Sequence, residues 1–366
     1  MRRLTSIAAG LAASGLVLTA CGTAADDDGD SADEAQCETT QIEGDPKVGL
    51  AYDVGGRGDQ SFNDSAYAGL ERAIEDFDVE HTESEAGNEE DDSVREERLR
   101  TFADDGYNTI VGVGFAYSNA VNAVAPDYPN VAFGVIDGFD PDADPDTGDI
   151  AADDVNCNVA YLTFAENEGS FLVGAAAALE SETGTVGFVG GVNNELINKF
   201  LAGYQAGAEA ADPDIEVLST FIDEADPEIG FGSPDLGKAA ASGQFEDGAD
   251  IVFQAAGGSG AGVFDAAIEA DGKAIGVDSD QYETASEAQR ATIITSMLKR
   301  VDTATYDFIK SVVDGEPDSS FTTFDLAADG VGYSTSGDFL SEETITELDG
   351  FKQQIVDGEV EVPTAP

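Results

Sequence analysis

Residues 47–73 read KVGLAYDVGGRGDQSFNDSAYAGLERA. The first seven form a short apolar run of strand type. A glycine-rich turn follows, and apolar residues then recur at helical spacing over 62–77. A strand feeding an amphipathic helix is one βα unit, and the pattern continues along the chain. Runs 109–114 and 131–136 have strand character, with helical segments at 93–104 and 119–125. In the second half, strand-type runs at 185–192, 215–222, 250–256 and 274–277 alternate with helical segments at 166–179, 195–211, 236–245 and 260–270. Continuous apolar strands separated by helices are the pattern of parallel sheets covered on both faces. Two such series read as two similar lobes, and the lack of a strict short repeat argues against a solenoid.

The chain has 366 residues, enough for two lobes, and its 42% hydrophobic content excludes wholesale disorder. It carries 75 Asp+Glu against 16 Lys+Arg, a formal net charge of −59. That sign repels phosphate backbones, so no nucleic-acid partner is expected. The acids are spread along the whole chain. This reads as a halophilic-type acidic surface, where salt relieves self-repulsion. With His81 as the single histidine and no Trp, imidazole catalysis and a His-rich metal site have little to draw on.

The chain opens with Met1-Arg2-Arg3, and the apolar run at 7–20 is too short for a stable bilayer span. It ends in Leu18-Thr19-Ala20-Cys21-Gly22, small residues ahead of a cysteine. This is the pattern of a lipoprotein signal, cleaved before Cys21 and acylated there. An ordinary secretory signal with an incidental cysteine is the alternative. Residues 1–20 are thus read as signal peptide. Residues 21–45, acidic and without apolar period, are read as a disordered tether. The expected location is the extracytoplasmic face of the cell membrane, held by N-terminal lipid. Cys37 and Cys157 remain; an oxidising compartment favours one disulfide between them, with two lone thiols as the alternative.

Three aspartates end strand-type runs: Asp53, Asp137 and Asp278. In open α/β sheets, ligands bind beyond the carboxyl ends of the strands. Each aspartate alone also fits a cap or turn. Three at equivalent positions converge on one cleft if the lobes face each other. Other motifs have plainer readings. GGSGAG at 257–262 does not meet the dinucleotide fingerprint. GSPDLGKA at 232–239 has Ala239 where a phosphate loop needs a hydroxyl, and reads as a helix start with Ser233 as N-cap and Pro234 first. DPDADPDTGD at 140–149 lacks the glycine and closing glutamate of a calcium loop. With no G-x-S-x-G, H-E-x-x-H or C-x-x-C, an enzyme would have to rely on carboxylates.

Residues 47–73 resemble the opening of the basic membrane protein family, the nucleoside-binding lipoproteins of ABC importers. Further matches follow in family order: VIDG (135–138), FAENEGSFLVG (164–174), GFVGG (187–191), FLAGYQAG (200–207), FQAAGGSG (253–260), GVDSDQ (276–281) and SMLK (296–299). The resemblance implies an α/β, type I periplasmic-binding-protein fold: two Rossmann-like lobes with parallel sheets, joined by a three-strand hinge and closing on a ligand. Lobe 1 is expected over 46–165 with a return of the chain near 295–320, and lobe 2 over 166–294 with parts of 321–366. The implied ligand is a purine nucleoside, delivered to an ABC permease and its ATPase subunit. The receptor would be a monomer with no cofactor and no catalytic residue.

Carried across by motif, Phe62 and Phe200 would stack on the base, with core positions as their alternative. Asp53 and Asn63 join the site beside Phe62, and Asp137 would meet the base edge. Asp278 would take ribose hydroxyls, with Lys299 balancing its charge. Gly257 and Gly258 would let backbone approach the sugar. Aromatic stacking on a base is worth about 1–3 kcal/mol, and a carboxylate accepts from both hydroxyls of a diol in a charge-assisted geometry. Segment 88–93 (NEEDDS) does not clearly supply the family's usual polar contact, which leaves base preference open. Two alternatives stand beside this reading: a same-fold receptor for another small neutral solute, and a surface hydrolase that cleaves nucleosides with these carboxylates.

Overall fold

The computed structural model describes residues 40–42, 44–87, 90–143 and 156–366. The expectations for the signal peptide, Cys21, most of the tether and Cys37 lie outside those residues. Cys157 is disulfide-bonded.

The first lobe runs β1 (Lys47–Ala51), α1 (Phe62–Phe77), β2 (Glu80–Ser84), α2 (Asp92–Asp104), β3 (Thr109–Val113), α3 (Ser118–Val124), β4 (Ala132–Ile136) and β5 (Val159–Phe164). The second begins with α4 (Glu166–Glu180), β6 (Thr185–Val192), α5 (Glu195–Ala211), β7 (Glu216–Asp223), α6 (Pro227–Gly232) and α7 (Pro234–Glu246). It continues with β8 (Ile251–Ala255), α8 (Gly260–Ala270), β9 (Lys273–Asp278), the short helices α9 (Gln281–Thr284) and α10 (Glu287–Arg290), and β10 (Ile293–Lys299). The chain then returns to the first sheet through α11 (Val301–Val313) and β11 (Phe321–Phe324). It ends on the second lobe with β12 (Val331–Tyr333) and α12 (Glu342–Val356).

Strand order is β2-β1-β3-β4-β5-β11 in one sheet and β7-β6-β8-β9-β10-β12 in the other. Pairing is parallel throughout except between β10 and β12. The sheets share one doubly wound plan, the two-lobed α/β fold that the alternating pattern implies. Every residue of β3, β4 and β8 is buried, which is why these strands read as unbroken apolar runs. The lobes are joined at Ala165, at Arg300 and through 325–330, the three-strand hinge.

The chain returns to the first lobe at Arg300, between β10 and α11. β10 stays in the second sheet to Lys299, paired with β9 and β12, and Phe321–Phe324 pairs with β5 in the first. The GSPDLGKA segment opens α7 with Pro234 in its first turn, although the Ser233 side chain makes no capping bond. Helices α4 and α5 cross with their backbones in contact. A Cβ at Gly203 or Gly207 would collide with the carbonyl oxygens of Asn167 and Phe171. That crossing seats the start of α4 against the middle of α5.

Candidate ligand-binding site

The turn from β1 into α1 is organised by Asp59. Its carboxylate accepts from the backbone amides of Ser61 at 3.0 Å, Asn63 at 2.8 Å and Asp64 at 3.1 Å, supplying the cap that α1 needs. Asn63 is buried within this turn. Its Oδ1 accepts from the Asp53 amide at 3.1 Å, and its Nδ2 donates to the Val54 carbonyl at 3.3 Å and to Asp59 at 3.1 Å. Both amide protons are therefore used inside the loop, so Asn63 braces the turn. Gly114, after β3, has φ 102°, and a Cβ there would strike the Asp53 carboxylate. Burial pushes the Asp53 pKa up to about 6, against the opposing pull of its hydrogen bond from the Val54 amide at 2.8 Å and of Arg95.

Asp137 and Asp278 occupy matching places in the two lobes. Each stands at the carboxyl end of the fourth strand of its doubly wound series, β4 or β9, in the left-handed region at φ 57° and 63°. Aspartate tolerates that conformation better than most residues.

Lys299 ends β10 and is 2% exposed. Its Nζ lies 2.7 Å from Asp137 and 3.2 Å from Glu166 Oε1. The ring centroids of Phe62, Phe164 and Phe200 are 5.2, 4.9 and 5.5 Å from the same ammonium, within cation–π range. Burial disfavours its charge, but Asp137, Glu166 and Asp278 together outweigh burial, and its pKa is raised. Glu166 is the buried first residue of α4, where the helix dipole favours an anion. Burial raises its pKa, with Lys299 pulling the other way, and its Oε2 has no hydrogen-bond partner among the described residues.

Lys299, expected to balance the charge of Asp278, acts on it without being its contact partner. Lys299 is taken by Asp137 and Glu166, because the second crossing sets the end of β10 beside the end of β4 and the start of α4. Asp278 instead accepts from Ser61 Oγ at 2.6 Å and feels Lys299 only through space. Burial pushes the Asp278 pKa up to about 7, with Lys299 and the Ser61 hydrogen bond opposing it.

These groups surround one cleft of about 580 Å³, its open mouth included. That lies within the range of about 300–1,000 Å³ usual for small-molecule sites. Asp53, Phe62, Asn63, Asp137, Phe200, Gly257, Asp278 and Lys299 all line it. Gly258 does not: a Cβ there would point at the Phe231 carbonyl oxygen, 3.1 Å away. Four residues not singled out from the sequence belong to the site or its support: Asp59, Phe164, Glu166 and Phe231. Phe164 and Glu166 stand inside FAENEGSFLVG, where the spacing shows only a strand end and a helix start. Phe231 sits between helix breakers in IGFGSP, with no periodicity to mark it.

The model of the family described as ABC transporter substrate-binding protein PnrA-like matches residues 47–365. The chain belongs to this family. A CD4+ T-cell-stimulating antigen of Listeria innocua is 32% identical over 97% of the chain and 96% of its own length. The ABC transporter nucleoside-binding protein BmpA of Lactococcus lactis is 29% identical over 90% and 93%. The crystal structure of an ABC transporter solute-binding protein from Aeropyrum pernix superposes with a TM-score of 0.73 at 28% identity, covering 87% of the chain and 93% of that structure. Family members are substrate-binding components of ABC transport systems and work with a permease and an ATPase. The inter-lobe cleft is where such a protein holds its solute. Among the described residues no helix is long and apolar enough to cross a membrane.

Proposed function

We propose that this substrate-binding protein captures purine nucleosides outside the cell and hands them to an ABC permease, itself performing no chemistry. The carrying observation is the grouping in one cleft of two aromatic rings, Phe62 and Phe200, with Asp53, Asp137 and Asp278 around the single ammonium of Lys299. A flat heterocycle gains by stacking on rings, about 1–3 kcal/mol per base. A sugar diol gains by donating to a buried carboxylate. Asp278 is the acceptor for ribose hydroxyls, Asp53 and Asp137 accept from further ligand donors, and Lys299 donates to a sugar or base oxygen. The excess of carboxylates over cations selects an uncharged nucleoside over its phosphate. The nucleoside-binding description of the Lactococcus relative supports the same reading.

On this reading Cys21 carries the lipid anchor, residues 21–45 form the tether, and Cys37 pairs with Cys157. The lobes occupy 46–165 and 166–294, each completed by part of the C-terminal segment, and the protein acts as a monomer. Ligand contacts drawn from both lobes exist together only in the closed form, so ligand shifts the equilibrium toward closure. A thermal-shift screen with inosine, guanosine, adenosine, uridine, free bases and ribose tests the ligand class, with purine nucleosides expected to give the largest upward shift. Chromatography of the incubated nucleoside tests for cleavage; it should be recovered intact, whereas released base would replace the receptor reading with the hydrolase one.

A further inference from the structure

An N-cap serine normally accepts a hydrogen bond from its own helix, yet Ser61, at the N-cap of α1, makes no side-chain cap bond. Asp59 has taken over that duty, as described above. The fully buried Ser61 hydroxyl is thereby free for the other lobe. It donates to Asp278 Oδ2 at 2.6 Å, with the Val277 carbonyl 3.3 Å away. The contact is reciprocated: Ser279 Oγ donates to the Ser61 carbonyl at 3.0 Å. Next to it, Gln281 Nε2 donates to the Gln60 carbonyl at 3.0 Å, and Gln60 holds a left-handed φ of 55°.

Gln281 is itself held firmly. Its Oε1 accepts from the Val277 amide at 2.8 Å and from Gln254 Nε2 at 2.7 Å, and its amide donates to Ser296 Oγ at 3.1 Å. Gln254 Oε1 in turn accepts from the Ala256 amide at 3.0 Å, bracing the turn that carries Gly257. A rigid set of amides in the second lobe therefore grips two consecutive residues of the first, Gln60 and Ser61, beside Asp278.

We infer that Ser61, Ser279 and Gln281 form a clasp that joins the lobes with or without ligand, and that Ser61 positions the Asp278 carboxylate toward the ligand. The ligand half of this inference rests on the reading of Asp278 as acceptor of nucleoside hydroxyls; the lobe-joining half does not. The clasp explains why a buried serine stands at a helix start whose cap is provided by another residue. It also assigns Asp278 two partners, one oxygen held by Ser61 and the other left for the cleft.

Hydrogen–deuterium exchange on the ligand-free full chain tests the first half. Ser61→Ala and the milder Ser279→Ala should each speed amide exchange across 59–64 and 277–281 by about tenfold, with exchange in β3 and β8 unchanged. Using two variants keeps the test decisive if Ser61→Ala fails to fold. Unchanged exchange in both segments for the folded variants would overturn the clasp. Calorimetric titration with inosine tests the second half. Ser61→Ala should weaken binding about tenfold, and adding it to Asp278→Asn should cost nothing further, since both act on one carboxylate. Full, independent losses in the double variant, or wild-type affinity in Ser61→Ala, would overturn the positioning role. A wild type that binds no nucleoside would overturn the ligand reading, with the exchange result alone deciding the clasp.

Discussion

The Lys299 ammonium lies 2.7 Å from the Asp137 carboxylate, although the two residues end strands of different sheets. Glu166, the first residue beyond the first crossing, is the second partner at 3.2 Å. A buried ion cluster thus ties together the end of β4, the start of α4 and the end of β10, at the hinge and at the floor of the cleft.

Removing the cation from this cluster leaves buried carboxylates without a counter-charge. Lys299→Met should destabilise the protein by about 3–5 kcal/mol, the usual cost of breaking a buried pair from one side. Adding Glu166→Gln should recover part of that loss. Denaturant unfolding of the single and double variants checks both statements, and equal midpoints for Lys299→Met and wild type would contradict them.

The two rings proposed to stack on the base are set differently in the fold, so their removal should read out differently. Phe62 is half-buried at the cleft, whereas Phe200 is 3% exposed within α5. Phe62→Ala should weaken nucleoside binding by about 1–3 kcal/mol and barely move the melting temperature. Phe200→Ala should weaken binding and also cost about 3–5 kcal/mol of stability by opening a core cavity. Calorimetry paired with thermal melting separates the two.

Asp53 and Asp278 have pKa values raised from 3.8 to about 6 and about 7, burial being the larger cause in each case. The native protein thus holds protons that the unfolded chain has already released over this interval. The stabilisation from these groups is complete below 3.8 and is lost as pH rises through about 6 and 7. At fixed ionic strength, the difference in stability between wild type and Asp53→Asn/Asp278→Asn should shift against the wild type across that window. Because an ionised carboxylate accepts hydroxyl hydrogen bonds more strongly than a neutral carboxyl group, binding of a ribose diol near the lower end of the window should release protons. Titration in buffers of different ionisation enthalpy measures that release.

A net charge of −59 predicts self-repulsion that salt relieves. Carboxylates such as Glu71, Glu75 and Asp78 on the first lobe and Asp265 and Glu269 on the second are exposed. The melting temperature should rise by several degrees between low and molar salt, and a melting temperature indifferent to salt would remove this reading of the composition.

Much of the fold was legible because its central strands are buried on both faces and must be written as apolar runs. GFVGG within β6 and IVFQA in β8 have few other readings. The edge strand β2, EHTES, was not legible, since an exposed edge needs neither alternation nor apolar residues. In the site, aspartates at strand ends were visible through the topology of parallel sheets. Their partners were not. Whether Lys299 meets Asp137 or Asp278 depends on how three crossings set the lobes against each other, which no local spacing encodes. Glu166 shows the same limit, because in sequence it is indistinguishable from an acidic residue favouring a helix N-terminus. Asn63, beside Phe62, reads as a ligand contact, but only the folded turn shows its amide protons already committed to Val54 and Asp59.

Calorimetric titration of the full chain with inosine, guanosine and adenosine, alongside free purine bases, ribose and the corresponding monophosphates, tests the central claim most directly. The account predicts one-site, saturable binding of at least one purine nucleoside, recovered intact, with each fragment and the monophosphate weaker by about tenfold or more, about 1.4 kcal/mol. Absence of binding by every purine nucleoside, together with saturable binding of some unrelated solute, would contradict it.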